Sequence, residues 1–194
     1  MRKIVSKGKS EKKEKRNRKI IGIALLSIMV LSVFGFVALD FLSKTGTNPD
    51  KITYKGIDFI RQQERWFFSQ NGIEFSILNS PENLTDIFVP ENLASFSSYS
   101  QMPLYIYSKD KSLEAKIYFN FNSVASRIQQ GCLNGTDCNG DFPIKTCEDK
   151  FILILESNET SIVQEQNCVF ISAPETKEMQ MALDAFFLKI TGVN

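Results

Sequence analysis

The chain has 194 residues, enough for one ordinary domain with extensions, and it contains no histidine. The absence of histidine excludes Ser–His and Cys–His nucleophile pairs, histidine-ligated metals and histidine pH switches. The net charge is only +1, but residues 1–19 hold ten Lys or Arg against two Glu, and the remainder holds 13 against 20 acidic residues. Such asymmetry predicts two compartments or two partners rather than one uniform surface.

Residues 1–19 form a basic tail that is rich in Lys and Glu and has no apolar face. The tail cannot bury enough surface to fold alone, so we expect it to be disordered. Its default partner is anionic inner-leaflet lipid, at about 1 kcal/mol per basic residue near the surface. Nucleic acid is not expected, because no aromatic side chains alternate with the lysines to stack on bases. An unknown protein partner is the other alternative.

The next segment, Ile20–Leu39, contains twenty residues without a charge, Pro, Asn or Gln. As a helix it would be about 30 Å long, the thickness of the hydrocarbon core of a bilayer. It is longer than the apolar part of a removable signal peptide and lacks a small-x-small cleavage site at its end. The segment therefore predicts one uncleaved transmembrane helix in a single-pass membrane protein.

Positive charge predicts the orientation of this span. Ten basic residues precede it, whereas the following twenty residues contain only Lys44, Lys51 and Lys55. By the positive-inside rule the N-terminus is cytoplasmic and the C-terminal part is outside. Residues 40–50, with Gly46 and Pro49, are read as a tether, and residues 51–194 as one extracytoplasmic domain.

The first predicted elements of this domain are strands. Arg65–Gln70 and Ile73–Leu78 flank Asn71-Gly72, which predicts a hairpin with a two-residue type I′ turn. A short strand at Ile57–Ile60 is expected beside it. Ser80-Pro81-Glu82 predicts a turn of helix with Ser80 as N-cap and Pro81 at the first helical position.

A strand is predicted at Pro103–Ser108 and is followed by apolar residues at helical spacing, which are Leu113, Ile117, Phe121, Val124 and Ile128. This periodicity predicts an amphipathic helix that ends near Gly131. A strand across Ile117–Phe121 is the alternative, because that stretch is rich in strand-forming residues.

The last elements alternate strand and helix. Phe151–Leu155 is wholly apolar, as in a strand buried on both faces. Residues Ser157–Thr160 turn the chain, Ser161–Ser172 is predicted as one returning strand, and Pro174–Ile190 as a helix that ends before Gly192. We therefore expect an α+β (or α/β) fold in which two helices pack on one mixed sheet.

Four cysteines lie in the part predicted to be outside: Cys132, Cys138, Cys147 and Cys168. An even number in an oxidising compartment predicts two disulfide bonds. Three pairings are open, and we favour Cys132–Cys138 with Cys147–Cys168, since the second pair would join neighbouring strands. Their spacing does not fit a four-cysteine zinc site, whose ligand pairs are usually two to four residues apart.

Other candidate sites are few. Residues Asp137–Asp141 with Glu148 resemble a calcium loop, but Phe142 occupies the position where that loop requires glycine, which favours a solvated disulfide loop. No catalytic residue, cofactor or metal site is predicted. Three glycosylation sequons fall in predicted loops, and their acceptors are Asn83, Asn134 and Asn158.

The segment Asn167-Cys168-Val169-Phe170-Ile171 precedes a helix that contains Ala182-Leu183-Asp184 and closes at Gly192. This ending resembles that of small single-pass membrane proteins of archaea, over about the final fifty residues. The resemblance implies an archaeal envelope setting and no particular activity.

These features favour a non-enzymatic binding or structural module of the cell envelope, with an envelope protein as its partner. A carboxylate-dependent envelope hydrolase and an accessory subunit of a membrane complex are the alternatives. The aromatic residues Tyr99, Tyr105 and Tyr107 would form either an exposed contact surface or part of a buried core.

The predicted topology can be tested by thiol labelling of intact cells after mild reduction. An impermeant maleimide should modify the four cysteines, because all of them follow the span. Protection from that reagent in intact cells, with labelling after lysis, would overturn the orientation.

Overall fold

The computed structural model describes residues 17–23, 25–30, 50–135, 138 and 140–193, and the chain divides into two compact units, Met1–Asn48 and Pro49–Asn194. In the first unit, residues 17–23 and 25–30 are helical, and their large apolar side chains are 46–73% exposed. Within the described ranges, no helix combines the length and apolarity that a membrane crossing requires. Residues 1–16, 24 and 31–49 lie outside those ranges, so the disordered tail, the full span and the tether stay predictions.

The second unit is α+β, as predicted, and begins with a four-stranded antiparallel meander. Its strands are β1 (Lys51–Tyr54), β2 (Ile57–Gln62), β3 (Arg65–Gln70) and β4 (Ile73–Ile77). The hairpin prediction is confirmed: Asn71 and Gly72 have φ values of 53° and 77°, as a type I′ turn requires. β1 was missed, although Lys55 and Gly56 also have positive φ and form a second tight turn.

Two 3₁₀ helices, Pro81–Leu84 and Phe96–Tyr99, follow the meander. The predicted turn at Ser80-Pro81-Glu82 is present, but the Ser80 side chain makes no capping hydrogen bond. The Ser80 carbonyl accepts from Asn83 N instead, so the backbone alone closes this turn.

A second, five-stranded sheet has the order β10-β11-β9-β5-β6. Its strands are β5 (Pro103–Tyr107), β6 (Arg127–Gln130), β9 (Lys150–Glu156), β10 (Ser161–Glu165) and β11 (Cys168–Ala173). β9 lies between β5 and β11 and is parallel to both. Its central position confirms the prediction that its apolar sequence forms a strand buried in the sheet. The single sheet expected from the sequence is therefore wrong, because no strand of the meander pairs with the five-stranded sheet.

The long predicted helix is half correct. Helix α1 covers Lys111–Phe121, starts at Asp110, whose carboxylate accepts from Ser112 N, and ends at Asn122. The strand alternative for Ile117–Phe121 is therefore wrong. Beyond the helix, Arg127–Gln130 pairs with β5 as β6 and does not continue the helix to Gly131. Pairing with a buried parallel neighbour overrides the helical spacing here.

The returning strand Ser161–Ser172 is also corrected, because it is two strands. β10 and β11 form an antiparallel hairpin that turns at Gln166, whose φ is 52°, and Asn167. The chain then forms helix α2, Thr176–Ile190, two residues shorter than predicted at its start, and Gly192 follows it with φ 83°.

Two disulfide bonds link Cys132 to Cys138 and Cys147 to Cys168, with Cα–Cα distances of 5.8 and 5.0 Å. The prediction of disulfide bonds is confirmed, in the pairing that the sequence favoured. The second bond fixes the chain before β9 to the first residue of β11, its parallel neighbour. The loop between β6 and β9 contains a two-stranded parallel ladder of β7 (Cys132–Leu133) and β8 (Ile144–Lys145).

One core joins the meander, both helices and one face of the five-stranded sheet. A chain of aromatic rings runs through it at centroid distances of 4.8–5.9 Å. Its members are Phe59, Phe68, Phe75, Phe96, Phe121, Phe187 and Phe186. Such ring pairs add about 0.5–1.5 kcal/mol each beyond the burial of apolar area.

A buried carboxylate links three elements inside this core. Asp184 of α2 is fully buried, and its Oδ1 accepts from Lys116 Nζ of α1 at 2.7 Å. Its Oδ2 accepts from Leu78 N, Asn79 N and Asn79 Nδ2, at the end of the meander. Burial lowers the pKa of Lys116, and the nearby Asp184 charge opposes that shift. The network satisfies both Asp184 oxygens and holds the two helices against the meander.

Replacing this carboxylate should destabilise the fold. Asp184→Asn leaves the Lys116 ammonium buried without its counter-charge, so the free energy of unfolding should fall by about 3–5 kcal/mol. Asp86→Asn, an exposed carboxylate, is the control and should change stability by less than about 0.5 kcal/mol. Chemical denaturation of the full chain in detergent measures both variants, and equal losses would contradict this role for Asp184.

Candidate functional site

The five-stranded sheet has two unlike faces. Alternate residues of its strands point to the helices α1 and α2, and this helix face contains Leu104, Ile106, Ile152, Ile154, Val169 and Ile171. The residues between them point away from both helices. We call that side the open face, and its central side chains are Tyr105, Tyr107, Phe151, Leu153, Leu155, Cys168 and Phe170.

One end of the open face is covered by the disulfide-bonded loop that runs from β6 to β9. Leu133 and Cys147 of the loop pack on a small cluster of buried residues, which are Tyr105, Phe151, Leu153 and Cys168. Gly131 starts the loop where a Cβ atom would lie 3.2 Å from the Tyr105 ring, so a larger residue here would require the ring to shift by a few tenths of an ångström. The loop thus substitutes for a third helix over part of the sheet.

The remainder of the open face presents a line of apolar side chains. Val163, Phe170, Leu153 and Tyr107 are directly opposite one another across β10, β11, β9 and β5. We call these four residues the apolar row. Leu153 is buried, Phe170 and Tyr107 are half-buried, and Val163 is 43% exposed. Leu155, also half-buried, lies beside the row, so apolar area reaches solvent in the middle of a sheet face.

Two cations contact the Tyr105 ring at the covered end. Arg127 donates to the Tyr105 hydroxyl at 2.8 Å, and Lys145 Nζ lies 4.3 Å from the ring centroid. The Lys145 ammonium first, and the Arg127 guanidinium second, favour the phenolate and so lower the pKa of Tyr105, against the opposing effect of burial. The Arg127 side chain is exposed and has donors besides the one that Tyr105 uses, so it can also bind a carboxylate.

A crevice of about 450 Å³ lies at the carboxyl ends of β5 and β9, close to the starts of both helices. Its two carboxylates are engaged: Glu156 is 3.7 Å from Lys109, and Asp110 caps α1. The hydrogen bonds from Ser112 lower the pKa of Asp110. A general acid for glycoside hydrolysis requires the opposite shift, so Asp110 is not placed for that chemistry.

The aromatic residues and the glycosylation sequons predicted from the sequence differ in their exposure to solvent. Tyr99 and Tyr105 are buried and Tyr107 is half-buried, so the exposed aromatic surface expected as one alternative is wrong for the first two. The sequon residues Asn83, Asn134 and Asn158 are exposed, at sites where a glycan can be attached without disturbing the core. Their glycosylation stays a prediction.

Within the described residues, no three Cys, Asp or Glu side chains are grouped to hold a metal ion. Asp137 and Asn139 of the calcium-like loop lie outside these residues. Cys132 and Cys138 of that loop are joined in a disulfide and therefore cannot serve as thiolate ligands.

Comparisons of this chain with protein-family models, with curated proteins and with solved structures found no match. The resemblance of its C-terminal part to archaeal membrane proteins therefore stays an expectation.

Sequence reasoning missed most of the open face. Val163 and Phe170 were assigned to one strand, and Arg127 to a helix, so their neighbours could not be inferred. Cys168–Ala173 does not alternate, because Val169, Phe170 and Ile171 are consecutive apolar residues, so the signal that it offers is that of a strand covered on both faces.

The Tyr105 environment predicts a measurable titration. Lys145→Met removes the ammonium that most favours the phenolate, so the pKa of Tyr105 should rise toward its ordinary value. The rise should be partial, because Arg127 still favours the phenolate. NMR of isotope-labelled tyrosine rings during a pH titration measures this shift. Lys177→Met, at an exposed position on α2, is the control and should leave the pKa of Tyr105 unchanged. If Tyr105 titrates at the same pH in wild type and in both variants, Lys145 does not lower its pKa.

Proposed function

We propose that this chain is a membrane-anchored, non-enzymatic binding module whose folded unit lies outside the cell and docks a protein partner on the open face. The anchor is the predicted span Ile20–Leu39. Its support is the charge-free sequence and the exposed apolar side chains of helical residues 20–23 and 25–30. An envelope protein is the proposed partner, and an archaeal envelope the proposed setting.

The proposed location outside the cell rests on charge and redox chemistry. The basic tail precedes the span and would contact anionic lipid of the inner leaflet. Two disulfide bonds in the folded unit agree with an oxidising compartment, since cytosolic thiols are kept reduced.

The apolar row is the observation that carries the binding role. A monomeric sheet normally hides such a line under helices or a second sheet, and here Phe170, Tyr107 and Val163 reach solvent together. Burying them against a partner would contribute about 25 cal/mol per Å² of apolar area. Arg127, at the covered end, adds a position that favours a carboxylate.

This chemistry defines the partner as a protein segment with apolar side chains and at least one acidic residue. The same surface would serve an accessory subunit of a larger membrane complex. An envelope hydrolase is less well supported, because the carboxylates of the crevice are used by Lys109 and by the cap of α1.

The proposal predicts loss of partner binding in a variant of the apolar row. Tyr107→Lys places a charge in the row, and the partner should no longer be recovered when the full chain is purified from native membranes in mild detergent. Phe88→Lys is the control, since Phe88 is an aromatic residue, 82% exposed, outside the row, and its replacement should leave recovery unchanged.

Three outcomes would contradict the proposal. These are repeated recovery of the wild-type chain alone, equal recovery of the partner with both variants, and loss of the partner with both. Circular dichroism of each variant establishes that it is folded before recovery is compared.

A further inference from the structure

Strand β10 forms an open edge of the five-stranded sheet. Its one strand neighbour among the described residues is β11, and no other segment there makes a hydrogen bond to a backbone group of β10. A hydrogen bond to another segment is made by a side chain, since Gln164 Oε1 accepts from Ala94 N at 2.8 Å. The pairing with β11 runs without a bulge from Ser161 to Glu165. Soluble proteins usually protect such edges with Lys, Pro or a bulge, and β10 contains none of these.

The edge strand β4 of the meander, unlike β10, has a side chain bound to its outward-facing backbone groups. At the outer side of β4, the Asn120 side chain accepts from Ser76 N and donates to Ser76 O. This amide occupies the backbone groups that another strand would use, so β4 cannot be extended there. β10 has no equivalent among the described residues, which distinguishes it as a surface for strand addition.

We infer that β10 pairs antiparallel with β10 of a second copy of this chain, about a two-fold axis at Val163. Centring the pair on Val163 joins all five residues of each strand. Val163 then lies opposite Val163 of the second copy, Ile162 opposite Gln164, and Ser161 opposite Glu165.

The charges of the strand fit this register. Glu165 is the one charged residue of β10, and it would face a serine hydroxyl rather than a second carboxylate. Moving the axis to Glu165 would bring two carboxylates face to face, and moving it to Ile162 or Gln164 would pair fewer residues. The sequence of β10 is therefore complementary to itself in one register above the others.

The apolar row gives the second argument for a second copy as the occupant. Because Val163 is the outermost member of the row, pairing at Val163 joins the two rows end to end across eight strands. The 43% of Val163 that is exposed would be covered by an identical side chain. This inference goes beyond the proposed function, because the pair can form whether or not the open face also binds another protein.

Cysteine cross-linking of the full chain in detergent micelles tests the register. In an antiparallel pair, opposite Cα atoms are about 4.5–5.5 Å apart, within the range that a disulfide spans. Copper-phenanthroline oxidation should therefore convert Val163→Cys to a covalent dimer on non-reducing gels. Gln129→Cys, on the opposite edge strand β6, is the matched control and should stay monomeric.

Sedimentation of the same full chain tests the energetics. Val163→Lys opposes two like charges at the axis and should raise the dimer dissociation constant about tenfold or more, whereas Gln129→Lys should leave it unchanged. A monomer at all concentrations would overturn the inference. A dimer that is neither weakened by V163K nor cross-linked in V163C would also overturn the inference. Such a dimer would be formed by other residues, for example residues 20–39. Retention of the dimer in Tyr107→Lys separates this result from failure of partner binding.

Discussion

Both helices of the folded unit pack on the same face of the five-stranded sheet, and the rest of the structure depends on this constraint. α1 and α2 bury the helix face together with the meander in one core. Nothing helical remains in the described unit for the opposite face, so the loop from β6 to β9 covers one end of it. That loop is too irregular to be held by a hydrophobic core of its own, and two disulfide bonds fix it. The open face and its apolar row therefore follow from the packing of both α-helices on the other face of the sheet.

Two kinds of interaction stabilise the core: packing of aromatic rings and a buried ion pair. The aromatic chain from Phe59 to Phe186 gives broad, non-directional stabilisation across the meander, α1 and α2. The ion pair between Asp184 and Lys116 is directional. Its burial is tolerated because the carboxylate also accepts hydrogen bonds from Leu78 and Asn79. Together they fix the helices on one side and thereby leave the other side of the sheet free to act.

Local patterns predicted the local features of this fold well. The Asn71-Gly72 turn, the apolar strand β9 and the α2 helix each follow from residues close in sequence. The pairing of Cys147 with Cys168 was favoured because the two residues lie near the starts of segments expected to form neighbouring strands. Where long-range pairing decides, prediction failed: β6 has helical spacing but pairs with β5, and β10 and β11 looked like one strand. The open face combines residues from four strands, so no single segment could reveal it.

The most direct test of the central claim is photo-crosslinking from Leu155 in cells that make the full chain. A photoreactive amino acid at Leu155, beside the apolar row, should form a specific covalent adduct with a partner protein, and the same probe at Phe88 should not. The adduct should be lost when Tyr107→Lys is combined with the probe. No adduct from Leu155, or the same adducts from both positions, would contradict the account that this face is the binding surface.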